Sequence, residues 1–477
     1  MSNSLESLVH KPQEVFALST IRNIPELIAN AKSTRDQKAR KLTLKALEVS
    51  IETVNPKRIV ESKVKLKGDS LTIDGFKLSL RKFNKVTVIG AGKASGAMAE
   101  ALERILSSRV TQGLVNVLEG TKSNFHTDKI ELHEASHPVP SDKSTLGTER
   151  ILELLKGLSN DDLVFCLISG GGSAMMSIPA VGISLMDKQN ITRSLLKSGA
   201  TIQEINTVRK HLSSVKGGWL AKKAYPSTLV SLIVSDVVGD PLDAIASGPT
   251  APDPTTYLNA INVLKKYDLW ESSPDSIRER LVKGCQGEIP DTPKPGDESF
   301  NKVFNIVLGN NRLACYAAQH TLEEFGLKTL YLTSILEGEA REAALVLASI
   351  IKEIDASGRP ISRPAALIAG GETTVTVKGP GKGGRNQEMA LSILEKIAGM
   401  RGVAAASVGT DGVDGPTDAA GAVADGGSLS RAIEMKLSPT EHLLENDSYG
   451  FFSRMNDLIF TGPTGTNVND LFVAVLV

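Results

Sequence analysis

Lys85-Val-Thr-Val-Ile89 is followed by Gly90-Ala-Gly92-Lys93-Ala-Ser95-Gly96, and then by a segment, Ala97 to Leu106, whose apolar residues recur at helical spacing. A short β-branched run, a glycine-rich break and an amphipathic helix (Ala97, Met98, Ala101, Leu102, Ile105 and Leu106 on one face) spell strand, loop and helix. The same order returns at Leu163 to Ile168 with Ser169-Gly-Gly-Gly-Ser173, and at Leu229 to Val234 with Ser235-Asp236. Further apolar runs stand at Val303–Leu308, Thr329–Leu332, Ala365–Ala369 and Val403–Ser407. Continuous apolar strands alternating with helices predict α/β architecture with parallel sheets covered on both faces.

At 477 residues the chain exceeds what one hydrophobic core ordinarily supports, and 41% hydrophobic residues supply two. We place the first domain at 31–290, Rossmann-like, and a smaller α/β domain at 300–477. The Gly-, Pro-, Glu- and Asp-rich stretch 284–301 is expected to join them, because no periodicity survives in it. Residues 31–55 read as one amphipathic helix entering the first domain. Lys+Arg and Asp+Glu balance at 54 each, which argues against general attraction to nucleic acid or an anionic membrane. Cys166, Cys285 and Cys315 form no CxxC or Cys/His cluster, so a reducing cytoplasm is expected. The first thirty residues carry no signal or transit pattern, and no apolar run reaches the ~20 residues that span a bilayer.

Glycine, cation and carboxylate concentrate in a few loops. Gly90–Gly96 has Ser95 where a dinucleotide fingerprint needs its third glycine, and it is not GxxxxGK[ST]. Its Gly92 and Ser95 are candidate phosphate contacts. Lys93 opens a helix, where an ammonium is misplaced unless an anion lies beside it; otherwise it is a solvated loop charge. Gly171, Gly172 and Ser173 form either an anion-cradling turn or a plain strand-to-helix turn. Ser173 lacks the Gly-x-Ser-x-Gly setting of a hydrolase nucleophile. Asp236 and Asp240 lie in Ser235-Asp-Val-Val-Gly-Asp240-Pro and serve as magnesium or water ligands or as turn caps. Arg209 binds a substrate carboxylate or is a surface charge. His126, His133 and His137 are read as loop structure.

Downstream stand Gly370-Gly-Glu372, Lys378-Gly-Pro-Gly-Lys382-Gly-Gly384-Arg385-Asn386, and Asp411, Asp414 and Asp418 among glycines. Arg385 begins a helix and can grip a carboxylate or phosphate in bidentate fashion. Lys378 and Lys382 are phosphate contacts or solvated charges. The aspartates fail the EF-hand spacing, leaving magnesium or ribose contact, or Asx turns.

Together, Gly90–Gly96, His137-Pro-Val-Pro-Ser141, Ser169–Ala174, Val234–Pro241, Gly370–Val375, Gly383–Glu388 and Gly409–Gly421 resemble the glycerate 2-kinase family of the MOFRL type, from about Lys38 onward. The resemblance implies an ATP- and Mg²⁺-dependent kinase making 2-phospho-D-glycerate from D-glycerate. It implies a Rossmann-like domain, a smaller MOFRL domain and an active site between them. The family's catalytic lysine and arginine correspond to Lys93 and Arg385. The Mg²⁺ ligands are expected at Asp236 or Asp411, and the partners are D-glycerate and nucleotide, with a homodimer as the expected assembly. Family members have also carried the label hydroxypyruvate reductase, which would use NAD(P)H. Ser95 in place of the third glycine and the lack of an evident ribose-binding acid after the second strand argue against it. A non-catalytic small-anion-binding protein is the remaining alternative.

Overall fold

The structure, a computed structural model, describes residues 19–477; the reading of the first eighteen residues as free of a leader lies outside them. The described residues form two compact units, one of residues 59–308 and one of residues 19–58 with 309–477.

The 59–308 unit opens with a small antiparallel sheet, β1 (Val64–Lys67), β2 (Ser70–Ile73) and β3 (Phe76–Ser79). Its main sheet contains β4 (Lys85–Ala91), β5 (Gln112–Leu118), β6 (Ile130–Ala135), β7 (Asp162–Ile168), β8 (Thr228–Val234) and β9 (Val303–Gly309), in the order β6-β5-β4-β7-β8-β9. The pairs from β6 to β8 are all parallel. Every residue of β7 is buried, as a strand covered on both faces requires. Helices 142–155 and 219–224 share one core with Ile89, Leu114, Val164 and Cys166, and helix 95–106 packs on β5 and β7. The chain leaves central β4 toward β5 and β6, then returns to build β7 and β8 on the other side. The loops after β4 and β7 therefore flank the point where strand order reverses, the place where open α/β sheets bind ligands.

Helices 185–197, 202–211, 257–266 and 275–285 gather around a separate core of Ile191, Leu195, Val208, Tyr257 and Leu264. The polar stretch expected to divide the domains lies inside this unit. Thr292 Oγ1 donates to Asp253 at 3.0 Å and His211 Nε2 lies 3.0 Å from Asp291, so its polar residues tie it down. Loss of periodicity marked a bonded loop there, and β9 follows it as the sheet's last strand.

The other unit holds β10 (Lys328–Leu336), β11 (Ala365–Gly371), β12 (Val403–Gly409), β13 (Gly421–Asp425), β14 (Leu458–Ile459) and β15 (Asp470–Leu476), in the order β10-β11-β15-β12-β13-β14. This sheet is mixed, correcting the expectation of a second parallel sheet. β10 and β11 are parallel, but β15 runs antiparallel between β11 and β12. Helices 340–357 and 385–396 cover one face. Helices 34–53 and 311–324 cover the other.

Helix 34–53 thus belongs here and not to the first domain. Ala39, Leu42, Ala46, Leu47 and Ile51 share a core with Ala406, Val408 and Val473. Amphipathic spacing revealed the face but not its partner. Arg40, fully buried, fixes the match: its Nη1 donates to Asp457 at 2.6 Å and to the Leu27 carbonyl at 2.7 Å, and its Nε pairs with Asp425. Those two carboxylates hold its charge more firmly than usual.

Candidate active site

In the 59–308 unit the loops after β4 and β7 are bonded to each other. Lys93 N donates to Gly170 O at 2.8 Å, Ala94 N to Ser169 Oγ at 3.0 Å, and Ser169 N to Ala91 O at 3.3 Å. A side chain at Gly92 would collide with Ser169, and one at Gly170 with the Asp236 carboxylate. Both glycines are needed for close approach. Ser95 is fully buried, and its hydroxyl lies 3.2 Å from both Leu167 O and Ser169 Oγ. It ties loop to strand, which corrects its reading as a phosphate contact. Ser173 Oγ bonds Ser247 Oγ, which also donates to Asn206 at 2.9 Å, so no histidine activates it.

Lys93 is half-buried and makes no side-chain hydrogen bond or ion pair among the described residues. His137, taken from the sequence as loop structure, lies against Gly171: a Cβ there would stand 3.0 Å from its Cδ2. Burial, then the charges of Lys93 and Arg209, push His137 down to about 4, so its ring is neutral at pH 7. Burial likewise pushes Arg209 down to about 10. The charges of Lys93 and Arg209, both distant in sequence, therefore reach His137. Only the fold shows this, although His137-Pro-Val-Pro140 stood among the family-like motifs. Asp240 sits in the turn after β8 at a left-handed φ of 57°.

Asp236 against Gly170 implies a test. Gly170→Ala forces its Cβ into the carboxylate, and either the Asp236 side chain or the loop must shift, at a strain of roughly 1–3 kcal/mol. The expected result is at least a tenfold loss of ligand affinity at this loop with a melting drop of a few degrees; unchanged affinity, read by titration calorimetry, would remove the loop from the site.

In the other unit antiparallel β15 starts where β11 and β12 end, pairing Asp470 with both Gly371 and Gly409. That register brings together the loops after β11 and β12 and the segment before β15. Arg385, first residue of helix 385–396, donates from Nε and Nη2 to Asp470 at 2.6 and 3.1 Å, and from Nη1 to Glu372 at 3.0 Å. The arginine expected to be free for an anion is held by two carboxylates. Three of its five N–H groups are used in these bonds, and two remain. Burial raises Asp470 to about 7 against the pull of Arg385 and Asn386, while Arg385 itself stays firmly protonated. Asp470 escaped sequence reasoning because it precedes the apolar run Leu471 to Leu476 without a motif.

Other expected ligands there are structural. Asp414, 2% exposed, accepts from Asn386 N and Nδ2 (both 3.1 Å) and from Gln387 N and Nε2 (2.9 and 3.0 Å), capping the helix. With four donors on two oxygens it has no room for a metal or ribose. Asn386, buried, also donates to Asp470 at 2.9 Å, so it links the two carboxylates. A Cβ at Gly384 would meet Asp414. Asp411 accepts from Val413 N at 3.1 Å in an Asx turn, and Asp418 accepts from Tyr449 OH at 2.7 Å. Lys382 Nζ lies 4.4 Å from the Tyr449 ring, where it is exposed, and Lys378 N is fixed by Asn446 Oδ1 at 2.8 Å. No group of three His, Cys, Asp or Glu positioned for a metal occurs among the described residues. Magnesium, however, commonly takes one or two protein carboxylates with the rest of its shell from phosphate and water. Asp236 beside the glycine loop fits that pattern, and Asp414 does not.

Two α/β units, each with a glycine-rich loop that carries a cation at or just before a helix start, define the class of protein. The chain matches the models of a domain of unknown function (DUF4147) over residues 42–282 and of the MOFRL family over residues 365–470. It is 43% identical to glycerate 2-kinase of Pyrococcus horikoshii, covering 92% of this chain and 97% of that one. D-glycerate 2-kinase of Thermotoga maritima is 42% identical, over 92% and 98%. The crystal structure of the Thermotoga maritima glycerate kinase superposes with a TM-score of 0.82, covering 92% of this chain and 99% of that one. This chain belongs to the glycerate 2-kinase family.

Proposed function

We propose that the chain transfers the γ-phosphoryl group of ATP to the 2-hydroxyl of D-glycerate, giving 2-phospho-D-glycerate and ADP. The observation that carries this reading is Lys93, an ammonium without a carboxylate partner among the described residues, bonded through its backbone to a triple-glycine loop where strand order reverses. Phosphoryl transfer asks of a protein mainly positioning and neutralisation of spread negative charge. In this reading Lys93 meets the transferring phosphoryl group, with the Gly170–Ser173 amides on its oxygens. Arg385, oriented by Asp470 and Glu372, supplies the guanidinium that grips substrate carboxylate or phosphate. Mg²⁺, when bound, neutralises the nucleotide phosphates; Asp236 would hold it. The division at residues 58/59 and 308/309 is our working boundary, cytoplasm the compartment and a homodimer the assembly to test by light scattering. The three cysteines are unpaired, and no described helix is long and apolar enough to cross a membrane.

The reductase reading needs revision on one point. Glu119 directly follows β5, where a ribose-binding acid stands in dinucleotide sites. It is exposed and ion-paired with Lys143 at 2.5 Å, which holds its carboxyl below the usual range. The stronger argument against a dinucleotide is Ser95, whose hydroxyl occupies the place of the third glycine. Incubation with ATP and D-glycerate should release ADP, with phosphorus NMR showing the 2-phosphate ester; NADH oxidation on hydroxypyruvate instead would overturn the kinase reading. Asp470→Asn should lower turnover at least tenfold, since it turns one anchor of Arg385 into a neutral amide. Turnover equal to the parent protein would free Arg385 of that dependence.

A further inference from the structure

Buried positive charge in the 59–308 unit is matched elsewhere. Lys210, 2% exposed, donates to Asp243 at 3.0 Å and to Asp253 at 3.3 Å. Two neighbours break the pattern. Lys216, 1% exposed, donates only to carbonyl oxygens, of Ser173 at 2.6 Å and Met176 at 3.1 Å. Lys188, 3% exposed, donates to Ser177 Oγ at 3.2 Å and Ile178 O at 3.3 Å. Neither has a carboxylate partner among the described residues. Their acceptors lie in one segment, 173–178, which leaves the triple-glycine loop.

An ammonium satisfied only by neutral oxygens keeps its desolvation penalty. Burial pushes Lys188 down to about 7 and Lys216 well below its ordinary value, and Arg209 repels both. Arg209 also acts on His137, as does Lys93. Two buried lysines, an arginine, a lysine and a histidine thus share one region without a carboxylate bonded to any of them among the described residues. The fold pairs Lys210 twice and gives none of this group a bonded carboxylate among the described residues, a setting that suits a ligand carrying several negative charges.

We propose that Lys188 and Lys216 are positioning residues of a polyphosphate-binding pocket, fixing segment 173–178 through its oxygens and gaining positive charge when a polyanion enters the glycine loop that His137 lies against. The kinase reading supplies only the identity of the phosphate chain, a nucleoside triphosphate. Lys→Met keeps the length of the side chain and removes its charge. The test uses the full-length protein, with pyrophosphate titrated by calorimetry and singly charged acetate measured by competition, neither of which is turned over. Failure of the glycerate reading therefore leaves this result standing.

In Lys188→Met and in Lys216→Met, pyrophosphate affinity is expected to fall at least tenfold and acetate affinity by less. A purely structural role predicts equal losses for both anions. Equal losses, or no loss, overturn the proposal. If Lys216→Met does not fold, Lys188→Met, whose ammonium reaches Ser177 and Ile178 only, decides by the same comparison.

Discussion

Lys93→Ala is expected to lower turnover roughly a thousandfold, the scale seen when one preorganised charge-stabilising donor is removed from a transition state. Stability should hardly change. The Lys93 side chain makes no hydrogen bond or ion pair among the described residues, and the contact that joins the β4 and β7 loops runs from its backbone N to Gly170 O at 2.8 Å, which alanine keeps. The large kinetic effect and the negligible thermal one come from the same geometry. Steady-state kinetics with ATP and D-glycerate, beside a calorimetric melt, check both. Turnover within a few-fold of the parent protein would take Lys93 out of the chemistry.

Arg40→Ala is expected to destabilise the unit that contains both chain ends by about 3–5 kcal/mol, because it leaves Asp425 and Asp457 buried without their shared cation. Arg431, whose Nη2 lies 2.7 Å from Asp457, offsets part of that loss. On a unit of this size the shift is on the order of 10 °C. Lys32→Ala is the control. It breaks an ion pair at 2.6 Å with Glu434 that is more than half exposed on both sides, so solvent already screens it and the transition should stay in place. A small shift for Arg40→Ala would mean that helix 34–53 docks through its apolar face alone.

The sequence made legible what is local and periodic. Continuous apolar strands such as Leu163–Ile168 and the glycine breaks after them marked the parallel sheet, and the loops bearing Lys93 and Arg385 stand at helix starts as expected. Long-range partnerships were hidden. Nothing around Thr34–Thr53 says which sheet will cover Ala39 and Leu47, and nothing near Asp470 says that β15 enters the sheet antiparallel and delivers a carboxylate to Arg385. Carboxylate density misled for the same reason. Asp411, Asp414 and Asp418 look alike as a string, but one caps a helix, one closes a turn and one accepts from a tyrosine, and only hydrogen-bond geometry separates them. His137, Lys188 and Lys216 could not be singled out, since burial without a counterion is a property of the folded environment.

The residue ranges of the two units also set an order of assembly. The 59–308 unit is one uninterrupted stretch whose strands all leave the ribosome before its partner's sheet begins, so it can condense during synthesis. Helix 34–53 emerges earlier still, yet the strands that bury Ala39, Leu42 and Leu47 are translated hundreds of residues later, with β15 last. For most of translation that greasy stripe waits uncovered, a natural client for a holding chaperone.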